Sequence, residues 1–254
     1  MRTPLALLGI AIFTLTLGPV VLIAGLFGVE EKADGLYQWC MHTWCRNILR
    51  WSGVKLVLHN PERMSSPHEG CVYMINHVSW YDVFAAAAVI PRYTWIAKAE
   101  LARIPLFAQA ARAAGIIFID RDNRKSSFEL YKVVSSGVRR GRSAIVCPEG
   151  TRGWDYHLRP FKKGPFVLAI ASEAPVIPTL IYGTREVMGK GSFLIRGGTV
   201  HIHFLEPVST IGLTYDDRTP LMERVHASMK HEMERLYGIH TAEHAVAAEG
   251  ERKE

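Results

Sequence analysis

The stretch "CVYMINHVSWYD" (71–82) decides how this chain is read. Cys71 to Ile75 form an unbroken apolar run of strand length, the pattern of a strand buried on both faces of a sheet. The run ends in Asn76-His77, and Asp82 follows the histidine by five positions. That spacing does not put two side chains on one helix face, so the pair meets only if a turn returns the aspartate to the imidazole. Two readings stay open here: a polar loop around a buried imidazole, or a general base with the carboxylate that fixes its tautomer. Ser79, lying between them, resembles the nucleophile of a Ser-His-Asp triad, but no Gly-x-Ser-x-Gly turn surrounds it. A loop-stabilising hydroxyl is the better reading.

Outward from this stretch, strands and helices alternate. Strand patterns occupy 54–59, 71–76, 94–98, 115–120, 143–148, 176–183 and 198–206. Helical patterns occupy 83–90, with Asp82 as N-cap, and 106–114, 126–141, 165–174 and 220–238. In the last of these, Leu221, Met222, Val225, Met229, Met233 and Leu236 share one face. The alternation predicts an α/β fold with a mainly parallel sheet flanked by helices. Residues 54–240 would form this domain, with 241–254 as a polar, flexible tail.

In such sheets ligands collect at the carboxyl ends of the strands. Three polar clusters stand at predicted strand ends: Asn76 to Asp82, Asp120-Arg121, and Pro148 to Arg152. Arg121 suits bidentate capture of a phosphate, or pairs with its acidic neighbours. In "CPEGTRG" (147–153), Gly150 permits a tight turn whose amides, with Thr151 and Arg152, can form an anion nest. Lys162 and Lys163 stand close by in sequence.

Before the domain, residues 3–29 carry no charge, and one helix of that length would be about 40 Å long, more than a bilayer core. Gly18-Pro19 should kink or break it, leaving a tilted span or a half-membrane hairpin. Arg2 favours a cytoplasmic N-terminus. Residues 35–52 place Leu36, Trp39, Cys40, Trp44, Ile48 and Trp51 on one stripe, which reads as a helix lying at the headgroup level. Residues 1–53 are therefore expected to be a membrane-anchoring helical motif.

The net charge is +6, and residues 92–163 hold 15 Lys or Arg against 6 Asp or Glu. Phosphate esters or an anionic membrane surface fit this concentration, and the absence of aromatic–basic interleaving argues against nucleic acid. Cys40, Cys45, Cys71 and Cys147 show neither metal spacing nor a disulfide framework, which suits a reducing compartment.

Together "NHVSWYD", "KAELARIPLF…GIIFIDR", "CPEGTR" and "APVIP" resemble, in order and spacing, the four motifs of the glycerolipid acyltransferases. The similarity is strongest to the bacterial lysophosphatidic acid acyltransferases and covers roughly residues 36–210. Cys147 and Gly153 depart from the residues common beside the third motif, without touching it. The resemblance implies His77 as general base and Asp82 as its partner. It implies that Arg121, Glu149, Gly150, Thr151 and Arg152, helped by Lys98, shape the acceptor's phosphate site, and that Pro175, Val176, Ile177 and Pro178 border the acyl or acceptor groove. It further implies acyl transfer from acyl-CoA or acyl carrier protein, as co-substrate, to the sn-2 hydroxyl of lysophosphatidic acid, at the cytoplasmic face of the inner membrane. No cofactor and no metal are expected. Another lysophospholipid, an ornithine-type lipid or glycerol-3-phosphate is an alternative acceptor. A non-catalytic scaffold for anionic lipids is the remote alternative.

Overall fold

The computed structural model describes residues 2–104, 107–119 and 124–240. Asp120-Arg121 and the tail 241–254 lie outside the described residues. Two helices open the chain, α1 (Thr3–Leu26) and α2 (Leu36–Trp51). Strands and helices then alternate: β1 (Val54–His59), β2 (Val72–Ile75), α3 (Tyr81–Ala87), β3 (Tyr93–Lys98), α4 (Phe107–Ala113), β4 (Ile117–Ile119) and α5 (Arg124–Arg139). The series closes with β5 (Ser143–Val146), α6 (Gly164–Ser172), β6 (Val176–Tyr182), α7 (Thr184–Val187), β7 (Gly198–Phe204) and α8 (Arg218–Tyr237).

Among the described residues the strands form one seven-stranded sheet in the order β1-β7-β6-β2-β5-β3-β4. β2 pairs in parallel with both β5 and β6, which is why its sequence is apolar at every position. Val72 and Met74 face a core completed by α5, α6 and α8, whereas Tyr73 and Ile75 face the layer of α2 and α3. The single reversal is at β7, antiparallel to β6 and parallel to the edge strand β1. β2 to β6 therefore all deliver their carboxyl ends to one edge, and His77 emerges there.

Of the two arrangements left open for the N-terminal segment, the turn at Gly18-Pro19 is overturned: α1 runs unbroken through it. Pro19 removes one intrahelical hydrogen bond. The apolar cavity between α1, α2 and α4, and the buried Val21 and Ala24 packed with Tyr37, Cys40 and Ala114, show the neighbours that hold the helix through this point. Part of the tryptophan stripe of α2 packs within the protein, while Leu36 and Trp39 stay exposed. Trp44 donates to the Thr14 hydroxyl at 3.0 Å and packs edge-on against Phe84, and Trp51 meets Phe13 edge-on. Only Trp39 of the three stays mostly exposed, at 56%.

The exposed apolar surface belongs instead to α1, where Leu5, Leu7, Leu8, Ile12, Leu15, Ile23 and Leu26 face outward. This helix is long and apolar enough to cross a membrane. Its first residues are sewn into the domain: Arg2 N–H donates to Ile195 O at 3.0 Å, and Ile195 N–H to the Thr3 hydroxyl at 2.9 Å.

Candidate active site

The turn after β2 is assembled by hydrogen bonds that the sequence alone does not display. Asn76 extends the ladder to β6 by its side chain, donating from Nδ2 to Ile181 O at 2.9 Å and accepting Ile181 N–H at 2.7 Å. The chain then reverses around Asp82, whose side chain is fully buried. Its Oδ2 accepts the backbone N–H groups of Val78 and Ser79, each at 2.7 Å, and lies 3.0 Å from His77 Nδ1. Its Oδ1 accepts the Thr184 hydroxyl at 2.5 Å.

Because Oδ2 already accepts two amides, His77 Nδ1 must be the donor in this pair. The proton on Nδ1 leaves the Nε2 lone pair available as a base, and the side chain keeps 15% exposure. Asp82 does not cap α3 as the sequence suggested. Trp80 holds the N-cap position, and Asp82 sits inside the first turn with its carboxylate aimed back at residues 77–79. Ser79 is buried, donates to Met188 O at 2.6 Å and accepts Tyr81 N–H at 3.1 Å. Its hydroxyl is thus committed to the turn.

The segment after β5 is fastened to this turn. His77 N–H donates to Glu149 Oε1 at 2.9 Å, and Gly153 N–H donates to His77 O at 2.7 Å. Glu149 Oε2 takes Arg159 Nε at 3.0 Å. Burial pushes the Glu149 carboxyl upward in pKa, while Arg159 and the His77 amide pull it back. Glu149 is therefore a buried clamp for the histidine loop rather than a surface that meets an anion.

Gly150 turns with φ of 81°, and a side chain there would meet Lys162 at 3.1 Å. Thr151 accepts from Arg159 Nη1 at 3.0 Å. The Arg152 guanidinium lies 4.8 Å from the centre of the Trp80 ring. Burial lowers its pKa and the Asp82 carboxylate raises it, so Arg152 shares the surroundings of the histidine–aspartate pair. Lys190 reaches Arg152 O at 2.9 Å and lies over the Trp154 ring. The turn thus carries Arg152 close to the His77–Asp82 pair, with Lys162 packed at Gly150 and Lys190 at Arg152 O.

Other predicted residues are placed differently. Lys98 ends β3 at the same sheet edge, with its side chain exposed and paired to Glu100 at 2.5 Å. Arg121 lies outside the described residues. Val176, Ile177 and Pro178 begin β6 beside Val72, Tyr73 and Met74, while His77 follows the far end of β2. Pro175 and Ile177 instead line a separate cavity of about 710 Å³ with Arg63, His68 and Arg139. The structure does not bring this group together with His77. Sequence reading missed Thr184, Arg159, Lys190 and Trp80. For Thr184 the one available signal was its position just past β6, at the edge where His77 emerges.

A family model described as Acyltransferase matches residues 55–182. A putative 1-acyl-sn-glycerol-3-phosphate acyltransferase, acl-2, of Caenorhabditis elegans is 33% identical over 77% of this chain and 67% of its own length. The human 1-acyl-sn-glycerol-3-phosphate acyltransferase beta is 30% identical over 73% of this chain and 67% of its own. The chloroplastic 1-acyl-sn-glycerol-3-phosphate acyltransferase BAT2 of Brassica napus is 32% identical over 58% of this chain, which spans 43% of that relative. The chain spans 57% of the relative from Cocos nucifera, so it covers about half of the first curated relatives it matches. In fold it resembles the crystal structure of the 1-acyl-sn-glycerophosphate acyltransferase PlsC from Thermotoga maritima, with a TM-score of 0.74. That match covers 93% of this chain and 98% of the other at 24% identity. On the family match and on relatives at this identity and coverage, the chain belongs to the acyltransferase family.

Proposed function

We propose that the chain is a membrane-bound lysophosphatidic acid acyltransferase, moving a fatty acyl group from a thioester of coenzyme A or acyl carrier protein to the sn-2 hydroxyl. The observation that carries the reading is the 3.0 Å contact between His77 Nδ1 and Asp82 Oδ2, with Arg152 beside it. His77 Nε2 removes the hydroxyl proton as that oxygen attacks the thioester carbonyl. Collapse of the tetrahedral intermediate breaks the C–S bond, and the imidazolium returns its proton to the departing thiolate. Asp82 holds the imidazole in the required tautomer and stabilises its positive charge in between.

Arg152 and Lys162 suit the acceptor's phosphate, the first by its planar fork and the second as a point charge. The outward apolar face of α1 suits insertion in the inner membrane from the cytoplasmic side, where the acceptor lies. No metal takes part in these steps. The relatives' names support the choice of acceptor.

The test is thiol release by the detergent-solubilised chain with lysophosphatidate and an acyl thioester, run beside a panel of other lysophospholipids and glycerol-3-phosphate. His77→Ala is expected to lower turnover about 10²–10⁴-fold, the range for loss of a positioned base. Turnover in His77→Ala at the level of the unaltered chain would remove the base from the mechanism.

A further inference from the structure

Three histidines that are far apart in sequence meet at the β1–β7 edge of the sheet. His59 and His203 are register partners, and His201 lies two residues before His203, so all three share one face. His59 Nε2 and His201 Nδ1 are 3.0 Å apart, and one ligand atom from each of the three lies within 4.8 Å of the others. His59 and His203 stack with ring centres 4.0 Å apart. His203 is buried and bonded at Nε2 to the Tyr237 hydroxyl of α8 at 2.6 Å.

We propose that His59, His201 and His203 form a site for a divalent transition-metal cation of the zinc class. Three imidazoles are a familiar ligand set for such ions, with the fourth position left to water. Tetrahedral bonds of about 2.0–2.1 Å require ligand nitrogens about 3.3–3.4 Å apart, so the His59–His201 contact has to open by about 0.3–0.4 Å, His203 has to close in from within 4.8 Å, and the stacked His59 and His203 rings have to turn out of parallel to aim their lone pairs at one ion. The proton now shared between those two nitrogens moves to the far nitrogen of its own ring, so a neutral pair binds without net proton release. When His203 Nε2–H donates to Tyr237, Nδ1 keeps its lone pair for the ion, and the hydroxyl fixes ring and tautomer as an outer-shell partner.

His59 and His201 are half-buried, which leaves an entry path from solvent. Of the nearby cations, Arg235 is paired with Glu232 at 2.6 Å, and Arg63 donates to Phe204 O at 3.3 Å and pairs with Glu206 at 3.2 Å. The site is separate from the candidate active site: β6 lies between β7 and β2, and the histidines use the α8 face. A bound ion would tie edge strand β1 to β7 and, through Tyr237, to α8.

The experiment uses the full chain in detergent, free of any histidine tag and stripped by a chelator, titrated with Co²⁺ and Zn²⁺. One ion per chain is expected, with visible bands of tetrahedral cobalt, no thiolate charge-transfer band, and a Zn²⁺-dependent rise in melting temperature. His59→Gln and His201→Gln should each weaken binding at least tenfold and remove that rise. Equal affinity in the unaltered chain and both variants overturns the proposal. If a variant fails to fold, the cobalt spectrum of the unaltered chain decides: a thiolate band would assign the ion to a cysteine, and absence of tetrahedral bands would leave no site.

Discussion

Of its four hydrogen bonds, the buried Asp82 carboxylate accepts three from the turn that carries His77 and one from Thr184 of α7. The His77 ring is therefore positioned by the backbone amides that hold Asp82 as much as by its own hydrogen bond. Ser79 belongs to the same scaffold, and Ser79→Ala should keep turnover per folded molecule while costing about 1–3 kcal/mol of stability, the penalty for orphaning a buried partner. Turnover and melting measured on one preparation separate the two roles, and abolished turnover in a folded variant would restore Ser79 as a nucleophile. Arg159→Leu would leave Glu149 buried without its counter-charge, held only by the His77 N–H and the backbone, with an expected loss of about 3–5 kcal/mol near neutral pH. Glu149 then sits still further above the ordinary carboxylate value of about 4.3. In the window between the unfolded and folded pKa the folded state holds more protons, so this loss shrinks as pH falls. Melts of variant and unaltered chain at pH 7 and pH 5 should show the gap narrowing. His77 and Asp82 were legible as a pair from their place after a buried strand. Arg159 and Thr184 were not, because they meet Glu149 and Asp82 only through chain reversals that no local spacing encodes.

The strands were readable for a different reason: unbroken apolar runs record burial on both faces, and each recorded itself in β2, β5 and β6. Strand order was not readable, since the reversal of β7 depends on pairing partners rather than on the composition of β7. α1 shows the converse failure, because Gly18-Pro19 is a valid local breaker that neighbouring packing overrides. Local backbone demands are firmer where a second constraint agrees with them. Gly183 turns with φ of 98°, and a methyl group there would stand 2.2 Å from Thr199 O. It also precedes Thr184, and its N–H donates to the Tyr156 hydroxyl oxygen at 2.7 Å. Gly183→Ala is expected to cost about 1–3 kcal/mol and to lower turnover by shifting Thr184 off Asp82. Melting and steady-state kinetics on the variant test both, and a stable, fully active protein would contradict the strain assigned here.

For the molecule as a whole, acid should be the vulnerable side. Burial holds His42 and His226 below the ordinary imidazole value, so the unfolded chain binds those protons first, near pH 6.5. Stability then falls as pH drops through and below that value. Melting midpoints at pH 7.5 and 5.5 should show the decline, and His42→Gln should flatten it. The stitching of α1 into the domain carries a mechanical consequence. Arg2 and Thr3 hold Ile195, the next residue's Arg196 N–H holds Val187 O at 2.9 Å, and the same short helix supplies Thr184 to Asp82. Met188, directly after that helix, receives Ser79. α1 is thus joined to the His77–Asp82 turn by hydrogen bonds and short stretches of backbone, so under the proposed function a tilt of this helix in a bilayer would pull on that turn. Deleting residues 1–29 should lower kcat even on acceptor dispersed in micelles, whereas a passive tether would raise KM alone.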